Sequence, residues 1–210
     1  MTSLKKRAYD NLRQAVMDVE PGTLFTVRKC AAELELSYTP VREALLQLYN
    51  EGLLDLVANV GFSVVEFDMK KIQSIYQSRA CVEEYVLPRI VKQLNDDDLL
   101  ILKTYIQKQK KAMAEKDVNG YTEKDVEFHK YLIDKLQNQQ LSEFYSSVRS
   151  QYSVGSKKIE KNHSSLPIEE HEEFIRLIEA EKYDEAVQCM NDHTSAAIER
   201  MKEGYVQIGI

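Results

Sequence analysis

Four side chains in the C-terminal two thirds of this 210-residue chain have the types and spacing to hold a metal ion. In YTEKDVEFHKYLIDKL, Asp125 and His129 stand four residues apart, so on a helix they stack on one face, continuous with Leu132, Ile133 and Leu136. His171 follows Ile168 and precedes Phe174, Ile175 and Ile178 at helical spacing, and His193 lies between Met190 and Ala197 on a stripe ending at Met201. A single inward histidine is more often a core residue with a hydrogen-bond partner than a ligand. Here three of only four histidines fall on separate inward stripes, one with an aspartate a turn before it. Three imidazoles and a carboxylate converging inside a helical bundle suit a divalent transition metal, zinc, nickel, manganese or iron.

Two arginines could complete such a site. Arg79 interrupts the apolar stripe Ile72, Ile75, Tyr76, Val82 and Val86, and a buried guanidinium needs an anion. That anion is either Glu83, one turn on, or a ligand carboxylate. Arg149, in SEFYSSVRSQY, is the second candidate. Four protein ligands on a metal that accepts six leave room for a bidentate small molecule, so the expected effector is a small carboxylate bridging the metal and Arg79. Two other readings compete: a metal-dependent enzyme, and a protein that senses the metal alone with no organic ligand. The enzyme reading is poorly supported, because the chain has no HExxH, no Ser-His-Asp candidate and no glycine-rich phosphate loop. A diiron centre needs two Glu-x-x-His motifs, and only Glu160 to His163 fits.

The elements that must position these residues are mainly helical. Seven glycines and four prolines leave little punctuation, and 43% hydrophobic residues suffice to build cores for two small domains. From Met69 onward the chain reads as about six helices of an antiparallel bundle, with breaks at Asn95-Asp96, Asn119-Gly120, Asn138, Ser164 to Pro167 and Glu181-Lys182. Pro88 should kink or split the first of these. Three cysteines far apart exclude a disulfide framework, and no run approaches eighteen apolar residues. A cytoplasmic protein with no membrane partner is expected.

The first 68 residues read differently. Leu4 to Val19 is one helix, stopped by Pro21-Gly22. Thr26 should cap a second, and Ser37 or Thr39 a third that buries Val41, Ala44, Leu45 and Leu48. LLDLV and GFSVVEF, joined by Ala-Asn-Val-Gly, read as a β-hairpin. Two short helices joined by a tight turn, followed by a hairpin, make a winged helix-turn-helix over residues 1–68. The remainder, residues 69–210, is then a helical effector, metal and dimerisation domain. In a helix-turn-helix the second helix enters the major groove N-terminus first, which places Ser37, Tyr38, Thr39 and Arg42 at base edges and phosphates and Arg28 at the backbone. The alternative for these residues is a capped helix start with a solvated arginine.

The motifs Pro21-Gly22, Arg28 to Leu34, Ser37-x-Thr39-Pro40-Val41-Arg42-Glu43-Ala44-Leu45, Leu48-x-x-Glu51-Gly52-Leu53-Leu54 and Asn59-x-Gly61 resemble, over residues 9 to 66, the winged-helix domain of the GntR family of bacterial transcription regulators. The resemblance adds Asn59 and Gly61 of the wing to the DNA-contacting set. It implies a homodimer on a pseudo-palindromic double-stranded operator, with repression relieved by an effector. Two positions depart from it: the family usually has arginine where Tyr38 stands, and often a basic residue where Val60 stands. Asp125-x-x-Phe128-His129, Asn138, His171 and His193 are similar to the FCD ligand-binding domain of the FadR and VanR branches, the short bundle being closer to VanR. That similarity implies Asp125, His129, His171 and His193 as metal ligands, with no counterpart for His163. The formal charge of −6, and seven Lys or Arg against ten Asp or Glu in residues 1–68, imply few phosphate contacts on DNA.

Overall fold

Ala8, Leu12 and Val16 recur at helical spacing, and all three are buried along α1 (Leu4–Asp18), which packs on the third helix of its unit. The computed structural model describes residues 4–66, 68–159 and 166–208, and the side chains among them except 152–159, 166, 201 and 204–208. The chain divides into two compact units, Met1–Asp68 and Met69–Ile210.

In the first unit, Thr26 caps α2 (Val27–Leu34) by accepting from the Lys29 amide, and Glu35 ends it in the left-handed region. Helix α3 (Tyr38–Asn50) begins after Ser37, whose side chain makes no cap bond, and Pro40 falls in its first turn. Val41, Ala44, Leu45 and Leu48 are fully buried, which anchors α3 through its apolar side and leaves its polar start in solvent. Glu51, just past its end, accepts from Tyr9 of α1 at 2.8 Å and from Gln47 at 3.0 Å.

The wing is a three-stranded antiparallel sheet in the order β1-β3-β2, formed by β1 (Leu24–Phe25), β2 (Leu54–Val57) and β3 (Gly61–Val64). The hairpin agrees with the sequence pattern, but β1 adds a strand that was not expected, because two residues are too few to show alternation. Its presence explains Gly61. A Cβ there would lie 2.5 Å from the Phe25 carbonyl oxygen, and its φ of +149° also disfavours any other residue.

The second unit comprises α4 (Met69–Ile90), a 3₁₀ turn (Val91–Gln93), α5 (Asp96–Ala114), α6 (Val118–Asp134), α7 (Gln139–Ile159), α8 (Leu166–Glu179) and α9 (Tyr183–Ile208). Helix α4 packs on α6, α7 and α9, while α5 packs on α6 and α8. The core joins Val86, Ile90, Leu102, Phe128, Leu132, Phe174 and Met190, each worth about 1.5–3 kcal/mol on burial. Two expectations are corrected. The split expected at Pro88 does not occur, and α4 runs two residues further. The proline ring removes one i→i−4 bond, two residues before the helix gives way to a 3₁₀ turn. The break expected at Asn119-Gly120 lies earlier, because Asp117 caps α6 by accepting from the Gly120 amide at 2.9 Å, and a Cβ on Gly120 would meet that carboxylate. No helix among the described residues is long and apolar enough to cross a membrane.

Helix α5 starts with a reciprocal capping box between Asn95 and Asp98. Asp98 also accepts from Tyr131 at 2.6 Å and Lys135 at 2.8 Å, tying α5 to α6. Burial alone would raise its pKa, but the Asn95 amide, Lys135 and Tyr131 together hold it below the usual value of 3.8. A carboxylate with a depressed folded pKa contributes stability above its unfolded pKa and loses it as pH falls through the folded value. Asp98→Asn is therefore expected to cost about 1 kcal/mol at pH 7, with the gap from wild type narrowing below about pH 4. Urea melts at both pH values check this, and a gap that widens in acid refutes it.

Candidate functional site

Helix α6 delivers Asp125 and His129, α8 delivers His171 and α9 delivers His193, each from the buried stripe of its helix. One ligand atom from each of the four lies within 4.8 Å of all the others, and all four residues are buried. His129 Nε2 and His171 Nε2 are 3.2 Å apart, and Asp125 Oδ1 is 3.7 Å from the first and 3.8 Å from the second. Donor atoms bound at about 2.0–2.2 Å to one cation stand roughly 3–3.5 Å apart, so these spacings fit a metal with little adjustment.

The outer partners point the same way. His129 Nδ1 faces Glu83 at 3.3 Å, His171 Nδ1 faces the Gln109 carbonyl oxygen at 3.2 Å, and His193 Nδ1 faces Glu170 at 2.7 Å. Each of these oxygens accepts, so each Nδ1 carries the hydrogen and each Nε2 presents a lone pair inward. Two lone pairs meeting at 3.2 Å repel unless a positive group lies between or beside them. Phe128 stacks on the His171 ring at a centroid distance of 4.2 Å and fixes its plane.

Burial and the neighbouring imidazoles hold His171 well below the usual histidine pKa. Burial, then His129 and Arg79, do the same for His193, and burial with Arg79 lowers His129. Neutral imidazoles are the ligand form. Burial alone would raise Asp125, but Arg149 and the histidines outweigh it and keep the carboxyl ionised.

Of the two partners weighed for Arg79, Glu83 is in place, and the guanidinium also faces two of the imidazoles. Its Nε donates to Glu83 at 2.8 Å, and its Nη2 donates to His129 Nε2 at 2.8 Å and stands 3.3 Å from His193 Nε2. Glu83 also accepts from Thr194 at 2.6 Å and from the Tyr145 hydroxyl, so one buried carboxylate gathers α4, α6, α7 and α9. Arg149 donates to Asp125 Oδ2, which leaves Oδ1 toward the histidines. His163 and the Glu160 to His163 motif lie outside the described residues, as does the Met201 side chain. Sequence reasoning missed Gln109, Glu170, Tyr145, Thr194 and Arg200. Gln109 alone left a trace, a polar residue in the α5 stripe Leu102, Ile106, Gln109.

In the first unit, Arg28, Ser37, Tyr38, Thr39, Arg42 and Asn59 are all exposed. Tyr38 is 58% exposed. Asn59 takes a φ of +60° in the wing turn.

The model of the bacterial regulatory proteins, gntR family, matches residues 4–64, and that of the FCD domain matches residues 74–196. The chain is a GntR-family transcriptional regulator with an FCD domain. The Nta operon transcriptional regulator of Aminobacter aminovorans is 26% identical to it over 87% of this regulator and 86% of that protein. The gluconate operon transcriptional repressor of Bacillus subtilis is 28% identical over 62% of this regulator and 54% of its own length. Among solved structures, E. coli McbR/YncC superposes with a TM-score of 0.83 at 21% identity, covering 98% of this chain and 100% of that one. A GntR transcriptional regulator from Rhodococcus sp. RHA1 gives a TM-score of 0.82 at 21% identity. The relatives and solved structures named here are transcriptional regulators and not enzymes.

Proposed function

We propose that this regulator is a repressor acting as a homodimer on a pseudo-palindromic operator, and that a small carboxylate at a divalent metal in its FCD domain modulates operator binding. The observation that carries the second half is the convergence of three inward imidazole nitrogens and one carboxylate oxygen, each held from behind by a partner. Asp125, His129, His171 and His193 would hold the cation, which supplies Lewis acidity toward an anionic ligand. Arg79 Nη2 cannot share the Nε2 lone pairs with a bound cation. Held on Glu83 through Nε, its guanidinium then has a donor to offer the carboxylate. Arg149 keeps Asp125 oriented. The repressor sense is supported by relatives named as repressors. Ser37, Thr39, Arg28 and the wing residues Asn59 and Gly61 serve phosphates, while Tyr38 and Arg42 face base edges. A cytoplasmic location is in keeping with this role.

The test is fluorescence anisotropy on DNA from upstream of the regulator's own gene against scrambled DNA, with and without Zn²⁺ and a panel of small mono- and dicarboxylates. Specific binding, weakened about 5- to 150-fold in Arg42→Ala and relieved by one carboxylate only when Zn²⁺ is present, is expected. Relief by metal alone favours the metal-sensing reading instead. No preference for the native DNA places the operator elsewhere.

A further inference from the structure

The four ligand residues are at most 5% exposed, so a cation must cross a wall of the bundle to reach them. Three outer partners form that wall behind the imidazoles. Two of them, Glu83 and Gln109, are fully buried, whereas the Glu170 side chain is 27% exposed. Glu170 lines a groove of about 470 Å³ between α8 and α9, together with Glu173, Glu185, Asp192 and His193 itself. His193 is the ligand that this groove reaches, and its Nδ1 bond to Glu170 is the shortest of the three outer contacts at 2.7 Å. Glu170 is in turn held by Arg200, whose Nη1 and Nη2 donate to its two oxygens at 3.2 and 3.3 Å and whose Nη2 also reaches the His193 carbonyl at 3.5 Å. Of the other groove carboxylates, Glu173 faces Arg176 and Glu185 faces Lys182, while Asp192 accepts from the Gln188 side-chain amide at 2.8 Å.

We propose that Glu170, latched by Arg200, is the positioning residue of His193 and the valve through which a divalent cation passes between the acidic groove and the four-residue site. The inference rests on the metal reading above. Glu170 has two separable duties. Its oxygen fixes the His193 tautomer so that Nε2 faces inward, a duty that an amide oxygen already performs for His171 through Gln109. Its charge, pinned by Arg200, keeps the wall shut; when the latch parts, the carboxylate is free to meet an incoming cation and the imidazole to turn.

The two duties predict different outcomes for three variants, read with Co²⁺ as probe through its visible absorption, equilibrium competition against a chelator, and chelator-driven dissociation. Glu170→Ala should lower Co²⁺ affinity about 10- to 100-fold and change the absorption spectrum, because His193 loses its orientation. Glu170→Gln should keep affinity within about threefold and restore the spectrum, since the amide oxygen still accepts from Nδ1. Both Glu170→Gln and Arg200→Ala should exchange metal about two- to fivefold faster in both directions at nearly unchanged affinity. Wild-type affinity and spectrum in Glu170→Ala overturn the positioning role. Wild-type exchange rates in both Glu170→Gln and Arg200→Ala overturn the valve. Failure of the wild-type chain to bind Co²⁺ or Zn²⁺ at all removes the metal reading itself, a result distinct from either. Circular dichroism of each variant confirms that a changed affinity does not reflect unfolding.

Discussion

Glu83→Ala is expected to destabilise the helical bundle by about 3–5 kcal/mol, the cost of breaking a buried ion pair by removing one partner. For a chain of this size that is a fall in melting temperature of roughly 6–20 °C. The reason lies in where the side chains sit. Arg79 and Glu83 are each 2% exposed, so the variant leaves a guanidinium inside the bundle without its carboxylate, the Tyr145 hydroxyl loses its Glu83 acceptor, and Thr194 falls back on the Met190 carbonyl. Burial pushes the Glu83 pKa up, but Arg79 and His129 overcome that and hold it well below the ordinary value, so the group is a true anion. The cost belongs to the broken pair and not to a missing attraction. Replacing both residues, as Arg79→Met with Glu83→Met, should therefore cost clearly less than the sum of the single changes, because neither charge is then stranded. Thermal melts of Glu83→Ala and of the four proteins of the methionine cycle supply the measurement. A Glu83→Ala protein that melts within a degree of wild type would sink the claim that this carboxylate organises the bundle.

His171→Ala is expected to abolish metal-dependent stabilisation. His171 is fully buried, stacked on Phe128 and within 3.2 Å of His129 Nε2, at the centre of the cluster. Losing an outer partner of a ligand typically costs 10- to 100-fold in metal affinity, so losing the ligand itself should cost more than about 100-fold. Zn²⁺ at a hundred times its dissociation constant stabilises the folded state by about 2.7 kcal/mol, which raises the wild-type melting temperature by roughly 5–11 °C. The variant should show no such rise at the same Zn²⁺ concentration. A full Zn²⁺-induced rise in His171→Ala would mean that the stabilising ion binds elsewhere. Gln109→Ala gives an intermediate case: it keeps the ligand and removes only the oxygen behind it, so part of the rise should persist.

Much of this was legible from residue order because helical periodicity is a local property. The spacing of Val41, Ala44, Leu45 and Leu48 determines which side of α3 is buried, and so which polar residues remain at its start. The same logic placed Asp125 and His129 inward on one helix and His171 and His193 inward on two others, and their convergence followed once the helices packed. Features that depend on a second segment were not legible. The strand Leu24–Phe25 exists only because Phe62 and Ser63 pair with it. The break before α6 moved to Asp117 because its carboxylate found the Gly120 amide, a choice that the Asn-Gly pair obscured.

The amino-acid sequence by itself determined the two-part architecture, the buried side of α3 and the identity of the four inward-facing residues, since all three rest on residue types repeated at short range. Only the tertiary structure decided how those donors are held. Glu83 reaches His129, Gln109 reaches His171, and Glu170 reaches His193 across 46, 62 and 23 positions of the chain. Contacts of that separation have no period to reveal them, because they are set by which helix faces which and by the need of each buried polar atom for a partner.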